Sequence, residues 1–272
     1  MTLPSLEKLR DIVRAAARDE LLPLFAEVAR QIKHDGSIVT EADVAMQRRL
    51  KADLLHHWPD IAFLGEEMTG REQERLTASA GNGLWCVDPL DGTSNYAAGI
   101  PFFAVSLALI ADGRSEVGLV YDPIRDECFM GRRGEGAWLD NIAFSGPKPS
   151  LPDGIRRCIA AVDFKRLAPP LAAQLGAHPP YGSQRNFGAS SLEWCWVAYG
   201  RFHLYLHGAQ KLWDYAAGSL ILSEAGGRAC TLDGEDVFCL GVATRSVVAA
   251  ASPSLFSEWK GWIDHNWNMS GR

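Results

Sequence analysis

One run of residues carries most of the chemistry in this sequence: Trp85-Cys86-Val87-Asp88-Pro89-Leu90-Asp91-Gly92-Thr93-Ser94-Asn95-Tyr96. An apolar stretch of strand type ends at Asp88-Pro89 and turns through Asp91-Gly92. Proline fixes its own φ and biases the residue before it to extended geometry. Asp88 is therefore expected to close a strand, with Asp91 on the turn that follows. Two carboxylates with the Leu90 carbonyl between them form a cluster of hard oxygens suited to Mg²⁺. Thr93, Ser94 and Asn95 favour helix N-caps, and the amides from Gly92 onward open a helix, a ready place for an anion. Metal ligands beside an anion cradle suggest phosphoryl chemistry. Asp-Pro and Asp-Gly are also ordinary turn dipeptides, so the reading depends on the rest of the chain.

Other acids stand at the ends of expected elements. Thr40 is a good N-cap for a helix over 41–57, with Asp43 at its N3 position in place of the Glu or Gln of a capping box. Asp43 either complements the helix dipole or points into a metal site. A short buried strand over 61–64 runs into Gly65-Glu66-Glu67, where α/β proteins place ligands, although a solvated turn fits as well. Asp214 opens a helix ending near 225, closed by Gly226-Gly227. It is either a simple cap or a firmly held ligand, because Ala216, Ala217 and Gly218 let that helix approach its neighbour closely.

The remaining elements form the frame. Residues 6–30 carry apolar positions at helical spacing, with Pro23 kinking or ending the helix. Asp35-Gly36 is a turn signal. Residues 71–75 are charged and expected to be exposed, and 78–83 are expected to be a mobile loop. Strands over 102–110, 116–122 and 127–132, followed by Ala137-Trp138-Leu139, read as an antiparallel meander. Residues 145–152, rich in Pro and Ser, mark a link between subdomains 1–145 and 146–272. The second half alternates: strand 156–162, helix 170–175, a turn at 185–191 into a helix ending near 199, strand 202–206, the Asp214 helix, strand 247–251 and helix 253–267.

With 272 residues, 47% apolar and 22% charged, the chain has the composition of an ordinary globular protein with a large core. A net charge of −6 without a basic block gives no sign of nucleic acid as a partner. The start has no basic n-region or long apolar segment, and the longest apolar stretch, 102–111, falls short of the roughly 20 residues a membrane span needs. Six cysteines without a C-x-x-C pair read as reduced thiols, which suits a cytoplasmic protein, and the seven histidines lack zinc spacing.

Together the motifs resemble the inositol monophosphatase family, within the superfamily that includes fructose-1,6-bisphosphatases and phosphoadenosine-phosphate phosphatases. The likeness rests on four blocks in order: Asp35-Gly36-Ser37-Ile38-Val39-Thr40-Glu41-Ala42-Asp43, Gly65-Glu66-Glu67, the Trp85 to Tyr96 run, and Trp213-Asp214-Tyr215-Ala216-Ala217-Gly218. The resemblance implies an α/β (α+β) fold, a layered α-β-α-β-α sandwich, and a homodimer. It implies that Glu66, Asp88, Asp91, Asp214 and the Leu90 carbonyl bind two or three Mg²⁺ ions, with Mn²⁺ able to substitute. Asp43, Thr93 and Glu66 would be catalytic, with Asp43 and Thr93 holding and deprotonating the attacking water. Gly92, Thr93 and Ser94 would hold phosphate. The reaction would be hydrolysis of a small phosphomonoester, an inositol or sugar phosphate first, inhibited by Li⁺. Family members acting on inositol phosphates carry a glutamate seven residues before the Trp-Asp aspartate, where this sequence has His207. That departure leaves histidinol phosphate, a nucleotide 3′-phosphate or fructose 1,6-bisphosphate open as substrates. Arg185, His207 and Asp214, with Ser190 and Lys211 beside them, would line the leaving-group pocket. A different class of reading is a binding or regulatory protein built on the same fold.

Overall fold

Helix α1 (Leu6–Glu20) forms where apolar residues recur three and four apart, and Leu9, Ile12, Val13, Ala16 and Ala17 are its buried side. The computed structural model describes residues 3–28, 31–32, 38–79, 83–146 and 151–268. The α1 helix stops well short of residue 30. A single 3₁₀ turn, Leu22–Leu24, contains Pro23, whose ring and missing N–H do not fit a helix interior. Strands β1 (Gln31–Ile32) and β2 (Ile38–Val39) pair antiparallel. The Asp35-Gly36 turn and the Asp35-to-Ser37 part of the first block lie outside the described residues. Helix α2 (Glu41–His57) spans the range that its capping signal marks.

A seven-stranded sheet follows the chain in order. Its strands are β3 (Ala62–Gly65), β4 (Leu84–Asp91), β5 (Ala104–Ala111), β6 (Arg114–Asp122), β7 (Glu127–Arg132), β8 (Gly136–Leu139) and β9 (Ile142–Phe144). Only β3 and β4 run parallel, and the rest form the expected meander, extended by β9. Between β3 and β4 the charged segment forms helix α3 (Gly70–Ala78). Thr69 and Glu72 form a capping box at its start, so its charges decorate a helix surface. Of the loop expected over 78–83, Ala78 belongs to this helix and residues 80–82 lie outside the described residues. After β4 comes the short α4 (Thr93–Ala98).

The second sheet has five strands. They are β10 (Ile159–Asp163), β11 (Ser183–Arg185), β12 (Leu204–Gln210), β13 (Arg228–Cys230) and β14 (Arg245–Ala250), in the spatial order β11-β10-β12-β14-β13. Helices α5 (Pro169–Ala177), α6 (Ser190–Tyr199), α7 (Leu212–Glu224) and α8 (Pro253–Asn268) interleave with them. Strand β10 starts later than residue 156, because a 3₁₀ turn, Ile155–Arg157, precedes it.

Alternation along the strands builds the layers. On β4, Trp85 and Val87 face the core shared with α1 and α2, while Leu84 and Cys86 face a central core with α6 and α7. On β12, Tyr205 joins that central core, while Leu204 and Leu206 join a third core with Leu171, Leu255, Trp259 and Ile263 of α5 and α8. The result is the layered α-β-α-β-α sandwich. The small residues that open α7 allow close approach, as their sequence suggested. A Cβ on Gly118 would lie 2.7 Å from the Ala217 carbonyl oxygen, and one on Gly218 would lie 2.4 Å from the Trp194 Cβ. Helix α7 is thereby wedged against β6 on one side and α6 on the other. Among the described residues no helix is long and apolar enough to cross a membrane. All six cysteines are free thiols, four of them buried.

Candidate active site

The carboxyl end of β4 holds the first two acids. The strand does not close at Asp88; it continues through Pro89 to Asp91. Asp88 pairs with Ser106 and Asp91 with Ala104, so three steps on β4 match two on β5. That extra residue is a β-bulge, which re-aims side chains next to it. Pro89 is tolerated because the pairing of β4 with β3 ends at Val87, so no ladder bond needs its missing N–H. Asp88 Oδ1 accepts from the Leu90 amide at 3.0 Å, which tightens the bulge. Gly92 then takes φ +89° and caps α4, in place of the Thr93, Ser94 or Asn95 cap suggested by the sequence. A Cβ there would meet the Phe102 and Gly188 carbonyls at 3.1 and 3.3 Å. Ser94 is exposed on the first turn.

Asp43 enters from the first turn of α2 and is 1% exposed. Its Oδ2 accepts from the Thr40 amide at 2.8 Å and the Thr40 hydroxyl at 2.6 Å. Thr93 Oγ1 lies 2.8 Å from Asp43 Oδ1 and 2.9 Å from the Leu90 carbonyl oxygen. The hydroxyl has one proton and can serve only one of these acceptors at a time. A capping acid and a helix-start threonine, fifty positions apart, thus form one hydrogen-bonded pair.

Glu66 follows β3, and its amide donates to the Val87 carbonyl at 3.1 Å. Gln73 Nε2 of α3 donates to the Glu66 carbonyl at 3.0 Å, and Gln47 Oε1 of α2 accepts from the Glu67 amide at 2.9 Å. A Cβ on Gly65 would come within 2.0 Å of that Gln47 oxygen, so a larger residue here would displace the Gln47 side chain. Asp214, half-buried in the first turn of α7, accepts from the Lys211 amide at 2.8 Å. Ser106 Oγ donates to the Trp213 carbonyl at 3.0 Å and ties the start of α7 to β5. Asp91 Oδ2 accepts from the Ser191 amide and hydroxyl at 2.6 and 2.5 Å, so this acid of the first sheet caps α6.

These acids disturb one another's ionisation. Burial, then the charges of Glu66, Asp91 and Asp214, pushes the Asp88 carboxyl well above its usual range. Burial raises Asp91 to about 6 against the hydrogen bonds from Ser191, with Glu66 adding to the rise. Burial, then Asp91 and Glu66, raises Asp214 well above its usual value. Burial also raises Asp43, with a smaller push from Glu66. The sequence-expected set Glu66, Asp88, Asp91 and Asp214 therefore comes together in one charged neighbourhood, with the Asp43–Thr93 pair beside it. Among the described residues, Asp88, Asp91 and Asp214 form no salt bridge, and no group of three or more His, Cys, Asp or Glu side chains is placed to hold a metal ion. The donors fit a hard divalent cation in kind, being carboxylates and a backbone carbonyl.

The expected pocket residues divide. His207 is 8% exposed and internally engaged: its Nδ1 accepts from the Ala209 amide at 3.1 Å, and its Nε2 lies 3.2 Å from Asp163 Oδ2. The proton therefore sits on Nε2 and is given to Asp163. Arg185 is exposed on β11 and folds back on its own strand, donating to Ser183 Oγ and the Gln184 carbonyl, both at 2.7 Å. Ser190 and Lys211 are half-buried, each at a helix start beside an acid of the cluster.

Two residues were missed. Ser191 anchors Asp91 across 100 positions of sequence, and only the fold brings them together. Glu193, 3% exposed, accepts from the Phe187 and Gly188 amides at 2.8 and 3.4 Å and fixes the loop that packs against Gly92. Burial raises its carboxyl to about 7. Its signal was an acid in the first turn of α6.

The model of the inositol monophosphatase family matches residues 6–263. The chain is 35% identical to an inositol-1-monophosphatase of Caulobacter vibrioides, over 85% of this chain and 89% of that one. It is 33% identical to a Nus factor SuhB of Pasteurella multocida, over 84% of this chain and 82% of the other. Among solved structures, an IMPase of Thermotoga maritima superposes with a TM-score of 0.82 at 22% identity, covering 97% of this chain and 98% of that one. At that identity the likeness concerns the fold. The extragenic suppressor protein suhB of Bartonella henselae superposes at 0.77 with 27% identity, covering 93% and 94%.

Proposed function

The chain belongs to the inositol monophosphatase family, and from that premise we propose that it is a Mg²⁺-dependent phosphatase acting on a small phosphomonoester. The observation that carries this reading is the convergence of Glu66, Asp88, Asp91 and Asp214 beside the Asp43–Thr93 pair. Those four carboxylates and the Leu90 carbonyl would hold two or three Mg²⁺ ions, or Mn²⁺ in their place. When bound, such ions offset the ester's charge and lower the pKa of water. Thr93 Oγ1 then orients the attacking water and passes its proton to Asp43, whose raised pKa suits it to accept one. The Gly92 and Thr93 amides and the Ser94 side of α4 hold phosphate oxygens. Residues 1–145 supply most of the acids, while residues 146–272 supply Asp214 and the pocket wall. The protein acts as a Li⁺-sensitive homodimer.

His207 sets the substrate class. Where members acting on inositol phosphates usually carry a glutamate, this chain has an imidazole bonded to Asp163. Inositol and sugar phosphates stay first, with histidinol phosphate, nucleotide 3′-phosphate and fructose 1,6-bisphosphate as alternatives. Phosphate release from this panel, with and without Mg²⁺, tests the proposal. Turnover only with Mg²⁺ is expected; no turnover of any ester overturns it. A second reading is favoured by relatives that carry the name Nus factor SuhB, at 33% identity in one case. In that reading the fold serves a binding or regulatory role. Retention of every expected acid and of Thr93 favours the enzyme.

A further inference from the structure

At the end of α7 away from Asp214 a cleft of about 710 Å³ opens between the two sheets. That volume lies within the range of small-molecule sites. Its rim carries Arg114 from the start of β6, Arg133 from the β7–β8 turn and Arg228 from β13. Three arginines against Asp236, the one carboxylate on the lining, leave it net positive in a chain of net charge −6. Glu116, just outside, is shared between Arg114 Nε at 2.6 Å and Arg133 Nε at 3.6 Å. One carboxylate cannot neutralise two guanidinium groups, and Arg228 has no carboxylate partner among the described residues. Glu224, the nearest acid of α7, is turned to the Gly134 and Gly136 amides at 2.9 and 3.0 Å.

The floor opposes an anion less than a bare helix end would. Helix α7 would normally end in bare carbonyls that repel negative charge. Here the Gly226 amide donates to the Ser223 carbonyl at 3.0 Å and the Gly227 amide to the Leu222 carbonyl at 2.9 Å, so those oxygens are occupied. Ser219 and Ser223 add hydroxyls to the lining. Ser115 also lines the cleft, and its hydroxyl is buried without a hydrogen-bond partner. Unsatisfied buried hydroxyls are uncommon and call for an explanation. The lining also includes the half-buried ring of Phe238, with Leu220 and Val237. Guanidinium groups pair phosphate through two N–H bonds, and a flat apolar wall suits a base.

We propose that this cleft is a second binding site, separate from the acid cluster, that takes a nucleoside phosphate: phosphate on Arg114, Arg133 and Arg228, base against Phe238. The test is calorimetric titration of the full chain with adenosine 5′-monophosphate in EDTA, which removes any cation from the acid cluster. Saturable binding is expected, weakened about tenfold or more by Arg228→Glu and by Arg114→Glu, as the loss of a charge-assisted contact predicts. Both residues are exposed at the surface, and circular dichroism verifies that the variants fold. Binding should survive Asp91→Asn, and bound nucleotide should slow hydrogen exchange over residues 219–228. No binding at millimolar nucleotide, or binding insensitive to both arginine variants, overturns the site. Tripolyphosphate binding as tightly as the nucleotide overturns the nucleoside assignment.

Discussion

The two ends of α7 make opposite electrostatic settings from the same scaffold. At its start, Asp214 joins Glu66, Asp88 and Asp91, and burial with repulsion from neighbouring acids drives the Asp88, Asp91 and Asp214 carboxyls upward. At its other end, Arg114, Arg133 and Arg228 share too little negative charge. The backbone between them is locked, because Ala217 lies against Gly118 and Gly218 against Trp194. Carboxylates crowd one another at the first end and guanidinium groups outnumber carboxylates at the second, so each suits a ligand of the opposite sign. The acid end is buried and bonded to the interior, whereas the basic end is held by exposed side chains.

The largest effect that separates the ends is expected from Asp91→Asn. It should lower turnover by about 10³-fold or more, by analogy with other losses of transition-state electrostatics, with the circular dichroism spectrum unchanged. Equal turnover would remove Asp91 from the site. Thr93→Val should cost about 10²-fold in kcat, the lower range for a lost proton-transfer group, while KM changes little. Gly218→Ala probes the rod that joins the ends. The added Cβ, 2.4 Å from the Trp194 Cβ, should cost about 1–3 kcal/mol in denaturant unfolding, more than helix propensity returns.

Glu193 gives a smaller effect with a definite sign. Its folded pKa of about 7 stands above the ordinary 4.5, so between those values the folded protein keeps a proton that the unfolded chain has released. Stability should therefore fall as pH rises through that window, by at most about 1.4 kcal/mol per pH unit from this group. Glu193→Gln should flatten the slope, and an unchanged slope would reassign it to other acids. Smallest of all, Arg228→Glu should leave turnover within about twofold, as an exposed change far from the acids does.

Much of the acid end was legible in the sequence. The Thr40 cap and apolar spacing marked α2 from 41 to 57, and the acids that gather were each marked by an element end. The small residues after Asp214 announced the tight seat of α7. Strand β4 was cut short because proline reads as a break; its survival depends on where β3 stops, which is a tertiary fact. Helix α3 was missed although Thr69 and Glu72 spelled its capping box, because the charged run was read only as exposed surface. The engagement of His207 by Asp163 depends on the register of β10 against β12, which local pattern does not carry. Nor does local pattern carry the basic cleft, whose three arginines come from β6, a turn and β13.

Calorimetric titration of the metal-free chain with Mg²⁺, beside the Asp91→Asn and Asp214→Asn variants, bears most directly on the central claim that these acids form a cation site. Saturable binding by the native chain, reduced in both variants, with phosphate release rising over the same Mg²⁺ range, is the predicted result. A native chain that takes up no Mg²⁺, or variants that bind it equally well, would contradict the account.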